Sequence, residues 1–444
     1  MTTLLKPVSD RRASDRPASA RHGSAAPSLS VRLARDGVLA KLADVRGGRI
    51  MLQEGGREHA LGTIGTGDAR HAAGLTASIA VHDPRFWLEI ATGGALGAAE
   101  SFARGEWDTD DLTTLVRILA RDRDALCGLE RGLARLRSPA LRILHALQGN
   151  TRHGSRRNIA AHYDLGNDFF ALFLDPTRMY SCALWPHADA TLDQAAAHKL
   201  DVVCDKLELR PGHEVLEIGT GWGGFALHAA RRGARVTTTT ISREQAAFAR
   251  AAFERAGLAD RITLLESDYR DLPAAGKRYD RVVSIEMIEA VGYDHLDEYF
   301  SVIDRTLAPD GLALVQAITI PDHAEKTYRA NVDFIQKHIF PGSALPSLRA
   351  ITGAAGATAL RIDHAEDLAP HYARTLREWR TRFESHAGDL AAMGFDDTFR
   401  RLWQWYFCYC EAGFLERTVG LLQVVLAGPR SGAGIERPAY RSGS

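Results

Sequence analysis

The chain has 444 residues, 45% hydrophobic and 25% charged, which suits two or three globular domains. Lysine plus arginine equals aspartate plus glutamate, 55 against 55, so no basic excess points to nucleic acid and none is expected as a partner. No apolar stretch approaches the roughly 18 residues of a membrane helix, and five scattered cysteines (Cys127, Cys182, Cys204, Cys408, Cys410) suggest neither a disulfide framework nor a metal site.

Residues 1–30 are rich in Ser, Ala, Arg and Pro and read as a disordered tail. They lack the continuous apolar core of a secretory signal, so a cytoplasmic location is expected. From 31 to 150, short alternating runs such as "RIMLQE" and "LTASIAV" predict a small mixed α/β domain. It closes with "WDTDDLTTLVRILARD", where an Asp/Thr cluster caps a helix. Between Leu115 and Arg157 ten arginines stand against Asp122, Asp124 and Glu130. Two readings are open: a solvated helix face, or a surface resting on anionic lipid headgroups. The polar "QGNTRHGSRRN" at 148–158 reads as a linker.

Beyond it, across 155–430, "HEVLEIG", "ARVTTTTIS", "RITLLESD", "YDRVVSIEM" and "GLALVQAITI" are short β-branched or apolar runs separated by helix-length segments. That alternation predicts an α/β fold with a doubly wound, Rossmann-like parallel sheet. "FLERTVGLLQVVLAG" reads as a helix end and a final strand, followed by a flexible tail at 431–444.

In "HEVLEIGTGWGGFALHAA" an apolar run ends in a glycine-rich turn and a helix follows. Dinucleotide enzymes share that grammar, but three details depart from theirs. The glycines are spaced Gly219-x-Gly221-x-Gly223-Gly224, one residue tighter. Glu217 lies on the strand just before the turn. The next strand ends in "TTTISREQ", with hydroxyls and an amide where a ribose-binding carboxylate would be expected. Glycines let a ligand approach the backbone, and a helix N-terminus favours its carboxylate. The site is read as one for S-adenosylmethionine.

The flanks carry a resemblance. "NIAAHYDLGNDFFALFLDPTRMYSCALW", "KLDVVCDKLELRPGHEVLEIGTGWGG", "TISREQ", "DYRDL", "SIEMIEAVG", "FIQKHIFPGSALPS" and "PHYARTLREW" follow one another as in the cyclopropane fatty acid synthases and mycolic acid cyclopropane synthases. The resemblance covers about 155–428; residues 35–150 more loosely resemble the N-terminal domain of the longer bacterial members. It implies a class I methyltransferase sheet that modifies unsaturated acyl chains of phospholipids from the membrane surface, with a homodimer left open. Tyr180 and Ser181 would close over the methionine part of the cofactor, and Gly219 and Gly221 form the turn. Thr240, Ile241 and Gln245 would contact ribose and adenine, and Asp268 and Tyr269 would lie beside the adenine. Thr220 stands where a cysteine is frequent.

Attack of a C=C bond on the sulfonium methyl leaves a carbocation, and ring closure needs a base to take a proton from the new methyl. The resemblance implies a bound bicarbonate as that base, held by Cys182, Glu289, the backbone at Ile318, and Tyr372, with Glu289 in a proton relay. Tyr163, Phe169 or Phe170 would face the cation. Glu286 reads as a supporting or cofactor-facing carboxylate, and His162 as a structural hydrogen-bonder. Cys204, Cys408 and Cys410 read as packing residues. One departure stands out: Gln316, in "LVQAI", replaces a histidine. Glutamine donates to an anion but carries no proton. A cyclopropane product is expected, with a methyl- or methylene-branched product as the alternative within the enzyme class. A catalytically dead lipid-binding protein is the alternative outside it.

Overall fold

The structure is a computed structural model and describes residues 28–64, 74–122 and 165–432. The expected linker at 148–158, His162, Tyr163, Cys127 and nearly all of both tails lie outside them. The chain divides into two units that interleave in sequence. The first comprises 1–147, 330–341 and 379–418; the second comprises 148–329, 342–378 and 419–444. A reading by consecutive segments did not anticipate the two later stretches of the first unit.

In the first unit, strands β1 (Arg49–Glu54), β2 (Arg57–Leu61), β3 (Thr76–Val81) and β4 (Trp107–Asp108) form a sheet in the order β2-β1-β3-β4. The helix Leu112–Arg121 starts where expected, its first turn capped by Asp111, whose carboxylate accepts from Thr114 N at 3.0 Å. Its arginines are spoken for. Arg117 and Arg121 both pair with Glu416, at 2.7 and 2.9 Å. The other eight arginines of the 115–157 stretch lie outside the described residues.

The second unit holds a seven-stranded sheet: β5 (Glu214–Ile218), β6 (Arg235–Thr239), β7 (Ile262–Leu265), β8 (Tyr279–Ile285), β9 (Leu307–Thr319), β10 (Arg361–Asp367) and β11 (Gly420–Ala427). Their order is β10-β11-β9-β8-β5-β6-β7. β5 to β9 run parallel. The apolar runs of β5 and β8 are buried on both faces, as helix-covered parallel strands must be. β11 and β10 depart from the expected all-parallel sheet: β11 is antiparallel to β9, and β10 to β11. This antiparallel insertion sets Gln423 of β11 directly opposite Gln316 of β9.

Chain order runs outward in both directions from β5, through β6 and β7 on one side and β8 and β9 on the other. Ligands of such sheets bind in the crevice beyond the carboxyl ends of the strands at that reversal. The residues after β5 and β8 are therefore where a site is expected on topology alone.

Candidate active site

β5 runs directly into the glycine turn. Gly219, Gly221 and Gly223 have φ of +101°, +51° and +89°, left-handed values that side chains disfavour. The glycines differ in purpose. A Cβ on Gly223 would press to 2.6 Å on Phe253, and one on Gly224 to 2.7 Å on Met179 Sδ, so those two permit packing. A Cβ on Gly221 would meet no atom of the described residues within 4 Å. Behind the turn Thr238 donates to Glu217 Oε2 at 2.6 Å, and the Thr220 and Thr238 hydroxyls lie 2.7 Å apart. Burial pushes the Glu217 carboxyl up to about 8, against the pull of Thr238 and Lys199.

The expected ribose and adenine residues follow the ends of β6 and β7. Thr240 donates to Gln245 Oε1 at 3.1 Å, and half-buried Ile241 leads into Ser242, which caps the helix Arg243–Arg255. Asp268 accepts from both Nε and Nη2 of Arg270 at 2.8 Å, and Tyr269 stands edge-on to Tyr299 at 5.6 Å. Phe170 packs against both Trp222 of the turn (5.1 Å) and Tyr180 (5.4 Å), which ties the 165–182 segment to the turn. Ser181 is buried and accepts from Lys199 Nζ at 2.8 Å.

One strand over, the acid cluster is denser. Glu286 follows β8. Its Oε1 accepts from Cys182 N at 2.9 Å and from Gln316 Nε2 at 2.7 Å, and its Oε2 accepts from Tyr372 OH at 2.6 Å. Burial pushes its pKa up; Tyr372, Cys182 N, Gln316 and the buried Lys199 ammonium pull it down. Glu289, a turn further on, accepts from Ile318 N at 2.6 Å through Oε1, while its buried Oε2 has no hydrogen-bond partner among the described residues. Burial and the neighbouring Glu286 push its carboxyl up to about 8, against the pull of Ile318 N. The Cys182 thiol donates to Ala183 O at 3.1 Å, and burial raises its pKa well above the ordinary value. The four expected anion ligands and Gln316 are thus brought together, Cys182 through its backbone N–H rather than its sulfur.

A sequence profile described as mycolic acid cyclopropane synthetase matches residues 150–424. The chain belongs to that family. A tuberculostearic acid methyltransferase of Mycobacterium tuberculosis is 42% identical over 76% of this chain and 80% of its own length. A cyclopropane-fatty-acyl-phospholipid synthase of Escherichia coli is 37% identical over 79% of this chain and 88% of its own. Among solved structures, the mycolic acid cyclopropane synthase CmaA1 complexed with SAH and CTAB superposes with a TM-score of 0.57 at 31% identity, covering 61% of this chain and 98% of that one. The cyclopropane synthetase family chain described here is accordingly an S-adenosylmethionine-dependent methyltransferase of fatty acyl chains.

Its residues fit that cofactor: an open left-handed turn at Gly221, a helix N-terminus behind it, and a rim of hydroxyl, amide and carboxylate groups. They do not fit a free bicarbonate. Every donor assigned to that ion already ends on Glu286 or Glu289, apart from the Cys182 thiol, which ends on Ala183 O. Glu286 as the hub of the cluster was not foreseen. Nor was the line that orients Gln316: Lys206 Nζ donates to Gln423 Oε1 at 2.6 Å, and Gln423 Nε2 to Gln316 Oε1 at 2.8 Å. Lys199 was missed as well, although a lysine on the apolar face of the helix Leu192–Lys206 (Ala195, Ala196, Leu200, Val203) is a readable anomaly. The same holds for Gln423 within "LLQVVLA".

Proposed function

We propose that this chain adds the methyl carbon of S-adenosylmethionine across the double bond of unsaturated acyl chains carried on phospholipids, giving a cyclopropane ring. One observation carries the reading: a largely buried cluster of two carboxylates and a phenol, the carboxylates just beyond the end of β8, the strand next to the cofactor turn. A methyltransferase acting on nitrogen or oxygen needs no base for a methyl proton, whereas an acyl-chain cation does. Bound S-adenosylmethionine supplies an electrophilic methyl group. The chain's own residues hold the cofactor along the ends of β5, β6 and β7, exclude water with the Phe169–Phe170–Phe173 cluster, and present acid groups beyond β8. Acyl chains are buried in a bilayer, so the enzyme works from its surface; none of the described helices is long and apolar enough to cross it.

A second reading, an exocyclic methylene branch, is favoured by Gln316 and by the 42% identity to the tuberculostearic acid methyltransferase. A saturated branch would need a hydride donor in addition. Purified protein, S-adenosylmethionine and vesicles of a monounsaturated phospholipid test both. Ring protons at high field in the product NMR spectrum support the first reading, and vinylidene protons at equal mass support the second. Absence of S-adenosylhomocysteine formation overturns both.

A further inference from the structure

The donors attributed by resemblance to a free anion converge on carboxylates of the chain itself. A second anion among Cys182, Gln316 and Tyr372 would have to break three hydrogen bonds to Glu286 and then lie beside that carboxylate. Glu286 is also held at φ +50°, a left-handed backbone that a residue other than glycine adopts only at a cost. Its partners are aimed rather than incidental. The Lys206 ammonium is donor-only, so it fixes Gln423 with its oxygen toward the lysine. Gln423 Nε2 then takes Gln316 Oε1, and Gln316 is left to donate to Glu286. A carboxylate on a strained backbone, with three oriented donors and just beyond the end of β8 beside β5, is placed to act on what binds at the glycine turn.

We propose that Glu286 stands in for the diffusible base: its carboxylate accepts the proton from the transferred methyl group, and turnover requires no bicarbonate. The assignment rests on the methyl-transfer reading above. The alkene π pair forms the new C–C bond as the methyl–sulfur bond breaks, with that bond's pair staying on sulfur. The adjacent chain carbon is left positive. Glu286 then takes one methyl proton, and the freed C–H pair closes the ring onto the cation. If a hydrogen has first shifted along the chain, the same pair forms the exocyclic double bond instead. Glu286 ends neutral and returns its proton to solvent between turnovers.

The test compares wild type, Glu286→Gln and Glu286→Gly in carbon-dioxide-depleted buffer, with and without added bicarbonate, and titrates each with carbon-13 bicarbonate followed by NMR. Wild-type turnover should be the same with and without bicarbonate, and the wild type should show no saturable binding of the ion. Glu286→Gln should bind S-adenosylmethionine normally yet lose turnover by at least about 100-fold, the reach of a positioned base. Glu286→Gly, whose glycine suits the left-handed backbone, should bind labelled bicarbonate and regain turnover when it is added, a rescue that a merely structural role would not give. Saturable bicarbonate binding by the wild type with turnover tracking it, or wild-type turnover in Glu286→Gln, overturns the assignment. No S-adenosylhomocysteine from the wild type under any condition would instead overturn methyl transfer itself.

Discussion

The glycine turn after β5 and the acid cluster after β8 lie on adjacent strands of one sheet, yet they are built in opposite ways. At the turn, side chains are withheld: Gly221 opens on free space, and the surrounding hydroxyls, amides and carboxylates bond to one another. At the cluster, the chain fills the space with its own charge, and among the described atoms of Glu286 and Glu289 only Glu289 Oε2 is left over. Under the assignment of Glu286 as the base, the turn is left open for a ligand while the cluster is closed by the chain's own carboxylate.

The sharpest way to break the comparison is Gly221→Val. The side chain would fill ligand space and a β-branched residue would sit at φ +51°, so S-adenosylmethionine binding should disappear in calorimetry. Wild-type affinity would mean the turn is not the receptacle. On the other side, Glu289→Gln and Tyr372→Phe should each cut turnover at least about tenfold, as loss of a transition-state contact commonly does, and leave cofactor affinity unchanged. Equal effects on affinity would erase the distinction between the two regions.

Gln316 tests the cluster more finely. Gln316→His retains a donor toward Glu286 and an acceptor toward Gln423, so activity should persist and the ring fraction of the product should rise, read by NMR. Gln316→Leu strands Gln423 Nε2 and one hydrogen bond of Glu286, at a cost of about 1–3 kcal/mol in denaturant unfolding.

A smaller effect joins the regions through pH. Glu217 and Glu289, one from each, ionise near 4.5 when unfolded and near 8 when folded. Between those values the folded state binds more protons, so stability falls as pH rises through the window. Glu289→Gln should flatten the decline of Tm between about pH 4.5 and 8, and an unchanged slope would contradict the assignment. The weakest expectation is salt-sensitive binding to anionic vesicles. Arg117 and Arg121 are already paired with Glu416, so any such binding falls to the remaining arginines of 115–157, and mutating those two alone should leave it unchanged in a flotation assay.

What the residues announced in advance follows from what each signal depends on. The five parallel strands and the glycine turn were legible because burial on both faces and positive φ are local demands, written in apolar runs and glycines. The expected ligands were legible as a set through motifs. Their bonding was not, because Cys182, Glu286, Gln316 and Tyr372 come from four separate segments, and which oxygen takes which donor depends on how those segments close. β10 was missed for a different reason: Arg361–Asp367 alternates charge without an apolar face and pairs only at the sheet edge. The interleaving of 330–341 and 379–418 with the first unit leaves no compositional mark at all.

The register of β11 against β9 has a consequence for how such an enzyme changes over generations. Gln316 cannot be exchanged freely, because its amide is one link between the buried Lys206 and Glu286 and sits opposite a residue 107 positions later. A lineage that swaps this position must pass through states in which Lys206, Gln423 or Glu286 is mismatched, unless the replacement offers both a donor and an acceptor. Histidine does, and few other residues of that size do. Replacements other than histidine at this position should therefore appear together with changes at Lys206, Gln423 or Glu286, in ancestral or grafted variants, rather than one at a time.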